Sequence, residues 1–168
     1  PALDVGPTED AAREMQRGME FISEVRSVRA ALGVPSGSKI DLSLVGGNAT
    51  SQRWAKDHEA VIAKRAFLTG ITLAETEPKG AVSTVLGEAT LALHLEGVID
   101  FAEERLRLEK KLKTLDKEII GTEKKLSNEK FTSRAPAEVI EEQRTRLAAS
   151  KNERAKLGAA FDRLGESL

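Results

Sequence analysis

The stretch VIDFAEERLRLEKKLKTLDKEIIGTEKKL, residues 98–126, decides the architecture of this chain. Val98, Phe101, Arg105, Leu108, Leu112, Leu115, Ile119, Thr122 and Leu126 recur in it at alternating steps of three and four, with charged residues filling most of the gaps. That spacing predicts a helix carrying a heptad seam. A second seam follows at Ile140, Gln143, Leu147, Ser150, Arg154, Leu157, Phe161, Leu164 and Leu168. Between them, Ser127-Asn128 can end one helix, and Pro136 suits the first turn of the next, where a missing N–H is tolerated. If the helices fold back on each other, facing residues must have numbers with a constant sum. The pairs 126/140, 122/143, 119/147, 115/150, 112/154, 108/157, 105/161, 101/164 and 98/168 all add to 265 or 266. The register closes along the whole length and sets Thr122 opposite Gln143, a polar layer of the kind that pins register at some cost in stability. At ~1.5 Å per residue, helices of roughly 30 residues make an arm on the order of 45 Å long.

Upstream of this seam the periods change. Thr8 followed by Glu9-Asp10 is an N-cap with acid in the first turn. Met15, Met19, Ile22, Val25, Val28 and Leu32 then form a helical stripe that Gly33-Val34-Pro35 stops, predicting a helix over 8–32. Residues 39–45 alternate as a strand does and close at Gly46-Gly47-Asn48. Residues 50–67 read as one helix, with Trp54, Ala55, His58, Val61 and Ile62 on one face. Strands are predicted over 71–75, 81–86 and 89–95, the last two joined by the Gly87-Glu88 turn. The fold class is therefore α+β: a long N-terminal helix (residues 1–35), a small antiparallel α/β module (36–97), and a long antiparallel two-helix coiled-coil hairpin (98–168).

Of the 168 residues, 32% are charged and only 4% aromatic, a composition that suits long solvated helices better than a thick core. Net charge is −1, but it is unevenly spread. Residues 1–97 hold 10 Lys/Arg against 13 Asp/Glu, whereas 105–134 hold 10 against 5, so an anionic partner is to be sought in the latter window. The absence of cysteine excludes disulfides, thiolate chemistry and zinc–sulfur sites. No apolar run is long enough for a membrane span. The start, Pro1-Ala2-Leu3-Asp4, has neither an initiator Met nor a signal segment, and we read it as a cut within a longer, cytoplasmic protein.

The tip of the predicted hairpin reads Lys125-Leu126-Ser127-Asn128-Glu129-Lys130-Phe131, then Ala135-Pro136-Ala137-Glu138-Val139-Ile140. It resembles the tip of the tRNA-binding arm of bacterial valyl-tRNA synthetases. Val25-Arg26-Ser27-Val28-Arg29 with Gly33-Val34-Pro35 is similar to the last helix of that family's anticodon-binding domain, and Leu95-Glu96-Gly97-Val98-Ile99-Asp100 to its strand-to-arm junction. The resemblance implies a class I synthetase that joins valine to its tRNA with ATP and Mg, working as a monomer. It implies that the arm lies along the outer corner of the tRNA, with the valine-accepting tRNA and the remainder of the synthetase chain as partners and no membrane. The family's H-I-G-H and K-M-S-K-S signatures are absent from these residues, so they are expected to contribute no catalytic residue, to hold no cofactor and to be inactive alone.

The residues expected to meet tRNA are Lys110, Lys111, Lys113, Lys117, Lys124 and Lys125 on the first arm helix, with Lys130, Phe131 and Arg134 at the tip. Lys110, Lys117 and Lys124 share the outward f position, Lys113 sits at b, and Lys111 and Lys125 at g. A line of lysines one heptad apart can track a phosphate backbone, or can be the solvated surface usual in coiled coils. Leu106 and Ile120 at b positions and Gly121 within the helix either admit close approach by RNA, or Leu106 packs on the α/β body, Ile120 is simply exposed and Gly121 is neutral drift. Phe131 either stacks on a base or plugs the hairpin end against Val139. Arg26 and Arg29 either face RNA or pair with acids such as Glu24. His58 and His94 lack metal-ligand spacing and read as structural or surface residues, and Trp54 as core. Gly46-Gly47 lacks the lysine and spacing of a P-loop. The rival function is a protein-interaction or ribosome-binding coiled coil on an α/β adaptor, and the module before the arm argues against it.

Overall fold

A computed structural model describes residues 9–166, which divide into two compact units at 99/100. In the first unit, α1 (Glu9–Ala31) carries acids in its first turn and Arg29 in its last, each complementing the helix dipole. The expected cap Thr8 lies outside the described residues. Phe21, Val25, Val28 and Leu32 are buried at helical spacing. Gly33, with φ 64°, ends the helix. Its N–H donates to the Ala30 carbonyl and that of Val34 to the Arg29 carbonyl, the paired bonds that satisfy a helix C-terminus when glycine turns left-handed.

The sheet contains β1 (Ile40–Gly46), β2 (Leu68–Ala74), β3 (Ala81–Leu86) and β4 (Ala89–His94) in the order β2-β1-β4-β3. The antiparallel sheet expected from sequence is corrected here. β1 pairs β4 antiparallel and β3 pairs β4 antiparallel, but β1 pairs β2 parallel. A parallel pair needs a crossover of a dozen or more residues, and the helical segment after β1 supplies it. The hairpin at Gly87-Glu88 stands as expected, with Leu86 opposite Ala89 and Gly87 at φ 62°. β2 starts at Leu68, earlier than the expected 71, because Phe67 in a left-handed conformation (φ 55°) ends the preceding helix there.

The single helix expected over 50–67 is two helices, α2 (Ala49–Asp57) and α3 (Glu59–Ala66), broken at His58. Asn48 caps α2 by accepting the Ser51 N–H. Nothing in the local sequence breaks the helix; long-range bonds hold the break. The Glu59 carboxylate accepts the Ile71 N–H at 2.7 Å, and Lys56 donates to the Ile71 carbonyl at 2.8 Å, so both sides of the break are tied to β2. The Ile71 N–H, and then Lys56, hold the Glu59 carboxyl below the usual carboxylate range. His58 stacks on Trp54 at 4.9 Å. Ile62 and Ala66 are buried, whereas Val61, expected on the inner face, is 60% exposed.

Arg29 meets neither RNA-like surface nor an acid. It is buried and donates to the carbonyls of Phe67, Pro35 and Ser38 at 3.1, 3.1 and 2.7 Å. One cation thus fastens the end of α1 to the loop before β1 and to the start of β2. Burial lowers its pKa from the ordinary arginine value, while the three carbonyls that accept from the guanidinium favour its charged form. Glu24 accepts the Thr84 hydroxyl at 2.5 Å and ties α1 to β3.

The second unit holds α4 (Phe101–Ser127), the single turn α5 (Glu129–Thr132) and α6 (Ala137–Glu166). Val98, expected as the first seam residue, precedes the helix: Asp100 caps α4 by accepting the Glu103 N–H, and Gly97 at φ 77° turns the chain before it. Asn128 ends α4 and caps α5, its side chain accepting the Lys130 N–H. Phe101, Arg105, Leu108, Leu112, Leu115, Ile119, Thr122 and Leu126 are all buried or half-buried, and so are Ile140, Gln143, Leu147, Ser150, Leu157, Phe161 and Leu164. Arg154 departs from the expected seam. It is exposed, because its guanidinium turns outward to Asp116 at 2.8 Å and avoids desolvation. Contacts between the helices run 105/161, 111/153, 116/154 and 123/151, so they lie in opposite directions. The Thr122 hydroxyl is bonded to the Glu118 carbonyl of its own helix at 2.9 Å. Leu168, the expected partner of Val98, lies outside the described residues.

Candidate nucleic-acid interface

The nine residues expected to meet RNA fall into distinct electrostatic groups. Lys111 is spent on Glu153 of α6 at 2.7 Å, and Lys113 on Glu109 of its own helix at 2.7 Å. The second bond also holds the Glu109 carboxyl below the ordinary range. Lys110, Lys117 and Lys124 are exposed and make no ion pair among the described residues. Their spacing of seven residues places them ~10.5 Å apart along one side of α4. Lys125, in the last turn of α4, Lys130 on α5 and Arg134 beyond it are also exposed and unpaired among the described residues. Phe131 is half-buried and Val139 is 36% exposed. Structure therefore joins three of the lysines into a line without ion pairs among the described residues, sets three cations at the connecting turn, and engages Lys111 and Lys113 in ion pairs that leave both exposed.

Cross-helix pairs account for much of the remaining charge. Asp116 takes Arg154, and Glu123 takes Lys151 at 2.6 Å. Arg105 lies 4.7 Å over the Phe161 ring. These acids and bases flank the line of contact between α4 and α6, and with Glu104 and Glu109 they make four acids of α4 that are paired with residues other than Lys110, Lys117 and Lys124. The sequence carries that segregation, with Asp116 and Glu123 one heptad apart, but reading the seam alone overlooked it.

The first unit offers different surfaces. Gly47 faces Ala89, where an added Cβ would sit 3.2 Å from its methyl, and Asn48 bonds Glu88, so this glycine pair serves strand–helix packing. Ser43 bonds His94 at 2.8 Å. Among the described residues no group of three or more His, Asp or Glu could hold a metal ion. An apolar groove runs between α1 and the α2–α3 pair, where Met15 and Met19 are 67% and 60% exposed. No helix among the described residues is long and apolar enough to cross a membrane.

Residues 100–165 match the family described as the valyl tRNA synthetase tRNA binding arm. This match lies within the second unit and covers less than half of the chain. Over nearly its whole length the chain is also similar to bacterial valine–tRNA ligases: 40% identical to that of Cereibacter sphaeroides over 93% of this chain and 16% of the relative. It is 36% identical to that of Bradyrhizobium diazoefficiens over 99% of this chain and 18% of the relative. For that of Caulobacter vibrioides the figures are 40%, 92% and 17%. The chain thus spans about one sixth of the length of the curated relatives it matches, and it matches their C-terminal region. The match to the arm family lies in the second unit, and the similarity to the ligases extends through the α/β unit as well.

Proposed function

We propose that this chain works as the C-terminal part of a valine–tRNA ligase and that its second unit grips the outer corner of the tRNA. The observation that carries this reading is the line of unpaired lysines on a unit that matches the tRNA-binding-arm family. In it α4 and α6 form an antiparallel coiled-coil hairpin (98–168), residues 1–35 end the anticodon-binding domain, and residues 36–97 join the two. Lys110, Lys111, Lys113, Lys117, Lys124, Lys125, Lys130, Phe131 and Arg134 make up the surface available to RNA. In this reading valine, ATP and Mg are handled by the remainder of a monomeric cytoplasmic enzyme. No chemical step is assigned to this chain.

The test is filter binding of tRNA by the full chain, alongside valine-dependent ATP–pyrophosphate exchange. The expected result is tRNA retention that weakens steeply with salt, and no exchange activity. Phe131→Ala should weaken retention with little change in its salt slope, because an aromatic contact releases no counterions. Failure to retain tRNA at low salt would overturn the binding role. Exchange by this chain alone would overturn the assignment of catalysis elsewhere.

A further inference from the structure

The side of α4 turned away from α6 carries Leu106, Arg107, Lys110, Lys113, Thr114, Lys117, Ile120, Gly121 and Lys124, and every one of them is exposed. None is acidic. The acids of this helix lie elsewhere: Glu103 precedes the strip, and Glu104, Glu109, Asp116, Glu118 and Glu123 lie along its two margins. Two marginal acids reach inward, Glu104 to Arg107 and Glu109 to Lys113, and two reach away to α6. What remains is a straight strip with three free ammonium groups spanning ~21 Å from Lys110 to Lys124.

The outer side of α6 is different in kind. It opens with Glu138, Glu141 and Glu142 and continues through Ala148, Ala149, Asn152, Ala155 and Ala159, with Arg144, Lys156 and Arg163 the cations among them. The outer side of α6 thus intersperses acids with its cations, whereas the α4 strip carries no acid to repel a polyanion.

Chemistry narrows the ligand further. The strip has no aromatic residue, so it offers no platform on which an unstacked base could lie. It has lysines, which act as point charges and do not read base edges. Ile120 is 52% exposed, and a Cβ added at Gly121 would meet nothing within 4 Å, so beside Lys117 and Lys124 the backbone of the helix is open to close approach. A rigid, one-sided, base-blind strip fits a partner whose phosphates are themselves held in a fixed line, and base-paired RNA is such a partner.

We propose that the outer side of α4, anchored by Lys110, Lys117 and Lys124, binds the phosphate backbone of a base-paired segment of RNA without reading its sequence. The α6 side takes no part, and the cations of the connecting turn play a smaller role. This rests on the reading of the second unit as an RNA-binding arm, and it selects one face and one class of RNA structure within that reading.

The experiment uses the full chain, unmodified tRNA, a generic RNA hairpin duplex and a polyuridine strand with the same number of phosphates. Binding is followed by filter retention across a salt series. Lys110→Ala/Lys117→Ala/Lys124→Ala is compared with Lys125→Ala/Lys130→Ala/Arg134→Ala, and circular dichroism confirms that both keep their helix content. If each α4 lysine neutralises one phosphate, the first variant lowers the slope of log K against log salt by roughly 2–3, at 0.7–0.9 per contact. The turn variant should lower it by less, and the duplex should displace tRNA better than polyuridine does. The inference is overturned if the α4 variant keeps the wild-type slope while the turn variant loses it, or if polyuridine competes as well as the duplex. Either result leaves the RNA-binding reading standing. Absence of tRNA binding by the wild-type chain would remove that reading, and this inference with it.

Discussion

The two units are stabilised in different ways. In the first, Val25, Val28, Leu32, Ile40, Leu42, Ile62, Val82, Leu91, Leu93 and Leu95 are almost wholly excluded from water, with Arg29 fastened among them. In the second, only Leu108 and Leu164 reach that degree among the large side chains of the described residues. Of its other buried residues among those described, Leu115 lies at the middle of α4, and Leu157 and Ala160 lie in the half of α6 away from α5. Toward the connecting turn the seam continues through Ile119, Leu126, Ile140 and Leu147, all only half-buried, and ion pairs at 116/154 and 123/151 line its flank. A sheet covered by helices encloses its core, whereas two helices bury one stripe each and leave the rest to solvent. The exposed remainder is what a binding surface needs. Stability and accessibility are thus divided between the units.

The largest effect should come from cutting into the enclosed core. Leu42→Ala is expected to cost about 2–5 kcal/mol, while Leu126→Ala near the turn should cost about 1 kcal/mol, because a half-exposed site loses less burial and leaves no cavity. Urea unfolding of each variant measures this, and equal costs would break the contrast. A smaller effect is expected from Arg29→Met, which keeps the apolar stem but removes the guanidinium from three part-buried carbonyls, of which those of Phe67 and Pro35 keep a backbone donor in the Ile40 and Ser38 N–H. The expected loss is about 2–3 kcal/mol, insensitive to salt because the partners are carbonyls and not carboxylates. A loss that fell steeply with added salt would mean that Arg29 acts through its charge. The smallest effect sharpens the comparison from the other side. Gly121→Ala, in open space on the outer side of α4, should raise stability by up to about 1 kcal/mol, as propensity alone dictates. A destabilised variant would show that something covers this surface in solution.

Much of this organisation was written locally in the sequence. Alternating steps of three and four placed the buried positions of α4 and α6, because helical periodicity needs only nearest turns to express itself. Gly33 and Gly87 announced their turns for the same reason, since a left-handed residue is nearly always glycine. The lysine line was equally legible, but which lysines are free was not. Lys111 and Lys110 are neighbours in sequence, and only the presence of Glu153 across the interface neutralises one and spares the other.

What tertiary structure alone decided has a common cause, namely partners distant in the chain. The parallel pairing of β1 with β2 depends on where a crossover returns the chain, and alternation within each strand is silent on that. The break at His58 has no breaker in its own sequence and is held by Ile71 bonding to Lys56 and Glu59. Arg29 looked like a surface cation and is buried, because three carbonyls from two separate loops converge on it. Arg154 occupies a seam position by number and leaves it, because Asp116 offers a solvated partner within reach. Sequence determined the periods, the turns and the supply of charge. The fold decided which charges are cancelled, and so which face of α4 remains open to a phosphate backbone.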